Sequence, residues 1–248
     1  MADHCFYCGG EVAAGPGFCP RCGAPVATGP QQATWTPSPV AYGPATGGPR
    51  PIESIVASGY KLDIGAILSD GWRLFTSNVG GFLGFALLGG LLGFLLGITI
   101  VGMLFLVPLL AGFYVVPLLM LKGRTPVFGD FFGGFRQLGS LVALGVVMGL
   151  LILLGTILLI LPGIYLSIAW TWAIPLIVDR RMGFWEAMSA SMKVVNKNFW
   201  ETLLLVLLVG VINAAGGIVF VGYLVTIPLG YCILVAAYRD IFGLDLRT

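Results

Sequence analysis

Charge is what this sequence has least of. Of its 248 residues, 13 are Lys or Arg, 11 are Asp or Glu, and one is His. Charged residues make up 10% of the chain, where a soluble domain carries about 25%. Three segments hold no charge at all: Leu74 to Leu121, Gln137 to Val178, and Thr202 to Tyr238. Each is long enough for two membrane crossings of roughly 20 apolar residues joined by a turn. None shows the polar stripe of a long soluble helix, so a water-soluble fold is excluded. The start, "MADHCFYC", lacks the basic and apolar regions of a cleaved signal peptide, which predicts that the first residues stay in the cytosol. A net charge of +2 gives no case for nucleic acid. The uncharged runs also argue against an enzyme, which needs convergent ionisable groups, and against an ion-coupled transporter, which keeps intramembrane charges.

What is present falls into three parts. Residues 1–23 form a head rich in Cys and Gly. Residues 24–58 form a linker with seven prolines and two charges, Arg50 and Glu53, a composition that stays extended and disordered. Residues 59–248 form the membrane part. The expected fold is an all-α integral membrane bundle of about six transmembrane helices behind a small N-terminal zinc ribbon.

The membrane part has an internal repeat of three units. Each unit opens with a short amphipathic segment expected to lie at the membrane interface, and an apolar hairpin follows. The apolar faces are Ile64, Ile67, Leu68, Trp72 and Phe75; then Phe128, Phe131, Phe132 and Phe135; then Phe184, Met188, Met192 and Val195. Their spacings of three, four and seven fit one face of a helix. In the second unit Thr125 and Pro126 suit an N-cap and first helical position. Units one and three align at a constant offset, pairing Ser69 with Ser189, Arg73 with Lys193, Asn78 with Asn198, and Leu83 with Leu203. Returning helices share P-x-x-Y at Pro162 to Tyr165 and at Pro228 to Tyr231, and "VPLLAGFY" at 107–114 is a looser relative. Gly89, Gly93 and Gly97, with Gly145 and Gly149, stand at every fourth position, a pattern that lets helix backbones approach closely.

Every Lys and Arg after the linker lies before or after a hairpin, and the three tips, near Ile98 to Met103, Leu161 to Ile164 and Asn213 to Gly217, carry none. The positive-inside rule then assigns both termini to the cytoplasm of a multi-pass protein in the cell (inner) membrane. Trp72, Trp185 and Trp200 flank the same boundary.

Cys5-x-x-Cys8 and Cys19-x-x-Cys22 can place four thiolates at the corners of a tetrahedron, as structural Zn²⁺ requires. Gly9 and Gly23 follow the pairs where each knuckle turns back. A redox pair or disulfides are the competing readings, disfavoured by a cytosolic location and by the lack of a thioredoxin-like context. Four cysteine ligands leave no open position for catalysis. The pattern C-x-x-C-G then F-C-x-x-C-G resembles the N-terminal zinc ribbons of many bacterial membrane proteins. Residues 161–200, from P-G-I-Y through Pro175 and G-F-W-E-A-x-x-x-S to N-F-W, resemble a broad group of bacterial polytopic proteins. That group includes the membrane domain of some glycerophosphoryl diester phosphodiesterases. This likeness, over roughly residues 60–245, implies a membrane fold and no catalytic residues, since the phosphodiesterase barrel is absent.

Weaker candidates remain. Trp170 and Trp172 in "AWTW" could line a ligand pocket, although helix packing or lipid contact is the commoner role. Arg180 and Arg181 could meet an anionic lipid head group, although a topogenic role suffices. Cys232 reads as a packed small hydrophobe. Asn78 and Asn198 read as caps or anchors at helix ends. The leading reading is a membrane scaffold or binding protein whose zinc ribbon recruits a cytosolic protein partner. The alternative is a carrier or conduit for apolar or lipid-like molecules with a regulatory ribbon. Membrane lipids are expected partners, a homo-oligomer is compatible, and nucleic acid is not expected, since the head carries one basic residue, Arg21.

The charge segregation generates a topology prediction. Reporters at Gly123, Gly183 and Thr248 should all read cytoplasmic, and insertions near Gly102 and Gly216 should read the opposite side. One hairpin tip found in the cytoplasm would break the three-hairpin arrangement.

Overall fold

In the computed structural model the described residues are 3–4, 11–12, 48–218 and 220–245. The chain divides into two compact units, Met1–Ala41 and Tyr42–Thr248. In the first, strands β1 (Asp3–His4) and β2 (Glu11–Val12) pair antiparallel, with Asp3 opposite Val12 and His4 opposite Glu11. The zinc-ligand cysteines Cys5, Cys8, Cys19 and Cys22 lie outside the described residues.

In the second unit every regular element among the described residues is a helix. Helix α1 (Ile52–Ser58) falls where the linker was expected. Its Ile55 is fully buried, and Arg50 just before it donates its backbone N–H to the Phe242 carbonyl at 2.7 Å. The burial of Ile55 and this backbone bond outweigh the proline-rich composition and tie residues 50–58 into the second unit.

The repeat is visible residue for residue. The amphipathic α2 (Ile64–Ser77) leads to the outgoing α3 (Val79–Gly97). Adding 120 to those numbers gives the third unit's α10 (Phe184–Lys197) and α11 (Phe199–Gly217). The single residues between them, Asn78 and Asn198, take nearly the same backbone conformation, with φ −143° and −132°. Neither side chain caps its following helix. Asn198 anchors instead, its Oδ1 accepting the Tyr60 N–H at 3.3 Å. The Tyr60 hydroxyl lies 2.7 Å from Thr202 Oγ1, and burial pushes its phenol pKa above the ordinary value.

After α3 the first unit returns through α4 (Ile100–Met103), α5 (Leu106–Leu110) and α6 (Gly112–Leu121). The second unit comprises a 3₁₀ segment (Phe128–Gln137), the outgoing α7 (Leu138–Leu158), and a return split into α8 (Ile160–Ala169) and α9 (Ala173–Arg180). The third returns as one helix, α12 (Tyr223–Phe242). Among the described residues five helical stretches are long and apolar enough to span a membrane, and Leu106–Leu121 is a shorter apolar return.

Two local expectations change. The second amphipathic segment is 3₁₀ rather than α, and it starts at Phe128, past Thr125 and Pro126. The Asp130 carboxylate sets that start by accepting the Val127 N–H at 2.8 Å. The glycine rows also behave differently. A Cβ at Gly97 or Gly149 would meet nothing within 4 Å, and one at Gly89 only its own helix's Phe85, whereas Gly145 does sit against Val107. Close backbone approach occurs between the amphipathic segments and the returns. A Cβ at Gly71 would lie 2.8 Å from the Ile233 Cα, and one at Gly112 would strike the Phe131 carbonyl.

These approaches define the architecture. The 3₁₀ segment packs on α6, α10 packs on α9, and α2 packs on α12. Each amphipathic segment therefore covers the return of the preceding unit, and the first unit's segment covers the last return, which closes a ring. Each segment packs one face against a return and leaves the other exposed, with Trp72, Phe128 and Trp185 on the exposed side. The returns form the interior, and the outgoing α3, α7 and α11 expose Leu91, Phe94, Leu153, Ile157, Leu204 and Leu207 outward. Trp72, Trp185 and Trp200 are exposed.

Position 191 shows how one contact is adapted. Ser191 stands 120 residues after Gly71, at the same approach to the preceding return. There the return is broken between α8 and α9, and the Ser191 hydroxyl donates to the Ala169 carbonyl at 2.8 Å and accepts the Trp172 N–H at 3.1 Å. Both backbone groups freed by the break are satisfied. The P-x-x-Y tyrosines diverge: Tyr231 packs against Phe113 and Tyr114, while Tyr165 donates to Asn196 Oδ1 at 2.6 Å.

Gly71→Ala should therefore lower stability by about 1–3 kcal/mol through overpacking. Gly149→Ala, in open space on α7, should leave it unchanged or slightly raised. Thermal unfolding of the purified protein in detergent separates the two, and equal effects would refute the Gly71 contact as the close approach.

Candidate functional site

The three returning helices bring their C-terminal ends together, and each ends on a residue with positive φ. Gly123 follows α6 with φ 75°, Arg181 follows α9 with φ 53°, and Gly243 follows α12 with φ 68°. At α6 the Gly123 N–H bonds the Met120 carbonyl and the Arg124 N–H bonds the Leu119 carbonyl, the two bonds of a Schellman cap. At α9 a single bond from the Arg181 N–H to the Ile177 carbonyl closes the helix. Arg181 is the one non-glycine residue with positive φ among the described residues, and a side chain there costs on the order of 1 kcal/mol relative to glycine.

An ionic junction joins these ends. Lys122 Nζ, at the end of α6, lies 2.9 Å from Asp179 Oδ1, near the end of α9, and both side chains are almost fully buried. The other Asp179 oxygen accepts the Tyr238 hydroxyl of α12 at 3.0 Å and the Asp245 N–H at 3.3 Å. One carboxylate thus holds all three units. Arg180 turns the other way, donating to the Phe242 carbonyl at 2.7 Å and the Arg50 carbonyl at 3.0 Å, with its guanidinium over the Phe242 ring. A cation there suits the negative end of α12. A second cluster, Arg239 with Asp70 at 2.7 Å and with Asp240, ties α12 to α2 and completes the ring.

Beside the junction is a cleft of about 690 Å³ between α6, the 3₁₀ segment, the start of α7 and the end of α9. Lys122, Arg124, Arg136 and Arg181 line it, with Asp130 and Asp179 as its acids. An apolar groove of about 480 Å³ lies between α3, α5, α6 and α12, with Gly89, Gly90 and Gly93 in its wall.

The sequence candidates separate on this frame. Trp170 and Trp172 are buried, Trp172 against Phe242, and neither lines the cleft or the groove. Their Nε1 atoms have no hydrogen-bond partner among the described residues. Both are buried at the break between α8 and α9. Arg180 is engaged with backbone, and Arg181 faces the cleft. Cys232 is fully buried, as a packed hydrophobe should be. Sequence reasoning missed Asp179, Lys122 and Tyr238. The available signal was an acid directly abutting the second apolar run, in "LIVDRR". Among the described residues no three His, Cys, Asp or Glu side chains gather as a metal site would require.

The pattern that defines a family described as the membrane domain of glycerophosphoryl diester phosphodiesterase matches residues 145–241. That stretch runs from α7 into α12 and includes Asp179, Arg181 and Tyr238, but not Lys122, Arg124 or Arg136. No curated protein and no solved structure matches the chain. With the apolar helices, the match makes this an integral, multi-pass membrane protein.

Breaking the junction from one side should be costly. Lys122→Met leaves Asp179 buried without its counter-charge and should cost about 3–5 kcal/mol. Adding Asp179→Asn, which keeps an acceptor for Tyr238, should restore much of that loss. Unfolding measurements on the two single variants and the double variant test the coupling, and simple additivity would show that the pair does not hold the helices together.

Proposed function

We propose that the protein is a membrane-anchored scaffold or binding protein, with residues 1–23 as a zinc-ribbon head that recruits a cytosolic protein partner. The observation that carries this reading is the division of the chain into two compact units, Met1–Ala41 and Tyr42–Thr248. The buried ions of the second unit are engaged in closing its own ring, which suits a stable platform better than a moving or catalytic one. The strand pair β1–β2 brackets the first Cys-x-x-Cys, an arrangement that fits a knuckle at a hairpin end. Structural Zn²⁺ on Cys5, Cys8, Cys19 and Cys22 would let so short a chain fold. The bundle sits in the cell membrane as six spans with both termini cytoplasmic, supported by the placement of every Lys and Arg after the linker on one side of the hairpins.

The apolar groove favours a second reading, a carrier of lipid-like molecules, because an acyl chain fits a wall of Leu, Ile and Gly. Trp170 and Trp172 lie away from that groove and support packing rather than cargo contact.

The test removes the head without disturbing the bundle. Because Arg50 and Ile55 are anchored in the bundle, the truncation should end at residue 41, not 58. Under the scaffold reading, deletion of residues 1–41 leaves a stable inserted bundle and abolishes capture of the cytosolic partner. Cys5→Ser or Cys22→Ser should release one zinc per chain and have the same effect. Recovery of the same partners without the head, or metal analysis showing no zinc, refutes recruitment by a zinc ribbon.

A further inference from the structure

We propose that the cleft between the first and second units is a binding site for the phosphate head group of an anionic phospholipid, with Arg124, Arg136 and Arg181 as its ligands. The three arginines come from three separate segments: the loop after α6, the end of the 3₁₀ segment, and the residue after α9. None of the three forms an ion pair among the described residues, whereas Lys122 beside them is neutralised by Asp179. The acids in the wall are already engaged, Asp179 with Lys122 and Tyr238, and Asp130 with the Val127 N–H. The cleft therefore keeps a net positive charge on guanidinium groups, whose planar forks suit phosphate oxygens.

Topogenic arginines need only lie on the correct side of the membrane. They need not converge on one cavity, and they give no reason for Arg181 to occupy a left-handed backbone position. The equivalent positions in the other two units are Gly123 and Gly243. Glycine at 181 would close α9 as well and with less strain, so the retained side chain points to a role beyond helix termination. Two of the lining residues are bonded to each other, the Gln137 amide donating to the Val178 carbonyl at 3.3 Å.

The remaining lining selects a lipid over a soluble anion. Val115, Leu119 and Val178, all partly exposed, line the same cleft from the apolar returns. A head group can meet the guanidiniums while the upper acyl chain lies against these side chains. A free phosphate would leave that apolar wall bare.

The experiment titrates the full-length protein in neutral detergent with short-chain phosphatidylglycerol, short-chain phosphatidylcholine, and inorganic phosphate or glycerol phosphate. Binding is read by native mass spectrometry and by calorimetry. The expected result is one saturable phosphatidylglycerol per chain, at least tenfold tighter than phosphatidylcholine, with the soluble phosphates competing weakly. Arg181→Gly should weaken phosphatidylglycerol about fivefold without lowering thermal stability, and Arg136→Gln should weaken it by a similar factor, as expected for one basic contact to an anionic lipid. The controls Lys61→Gln and Lys193→Gln, exposed cations away from the cleft, should leave binding unchanged. Equal affinity for the two lipids, or an equal loss with the control variants, overturns the site. Phosphate or glycerol phosphate competing as strongly as the lipid overturns the lipid assignment in favour of a soluble phosphate ligand.

Discussion

The buried pair of Lys122 and Asp179 is the interaction on which this bundle turns. Two opposite charges leave water only when each satisfies the other and the remaining lone pairs find donors. Here the carboxylate has Lys122 on one oxygen and the Tyr238 hydroxyl on the other, so its demand is met by residues from the first and third units at once. In the apolar part of a bilayer no hydrophobic force drives helices together, since lipid tails are as apolar as leucine. Directional polar contacts at the helix ends then decide which return meets which.

Ring closure follows from the same physics. Three similar units in an open row would leave the first segment's apolar face and the last return uncovered unless the last unit meets the first. Asp70 on α2 and Arg239 on α12 supply that contact, and Gly71 allows the two helices to approach at the Ile233 backbone. Symmetry is broken where chemistry requires it. The second return is interrupted at Trp170 to Trp172, and Ser191 replaces the glycine of the first unit to satisfy the freed backbone. Arg181 replaces glycine at the end of the same return, which places a cation beside the cleft.

Much of the fold was legible in the sequence. Charge-free runs marked the hairpins, and the pairing of Asn78 with Asn198 located two units whose helices match without a shift. The candidate site was less legible. Asp179 and Lys122 are 57 positions apart, and each taken alone resembles an ordinary boundary charge. The glycine pattern on α3 misled because fourfold spacing identifies a smooth face without showing how closely another helix approaches it. Of Gly89, Gly93 and Gly97 only Gly93 meets a neighbouring helix, where a Cβ would lie an ordinary 3.7 Å from Leu106.

Composition, apolar run length and charge placement determined by themselves that this is a multi-pass helical membrane protein with a repeated unit, because transfer of charge into a bilayer is costly wherever the chain goes. Only the tertiary structure decided that the amphipathic segments cover the preceding returns, that Trp170 and Trp172 are buried away from the cleft, and that three distant arginines share it. Those outcomes depend on which helix ends meet, and that is set by contacts between residues far apart in sequence, where local periodicity carries no information.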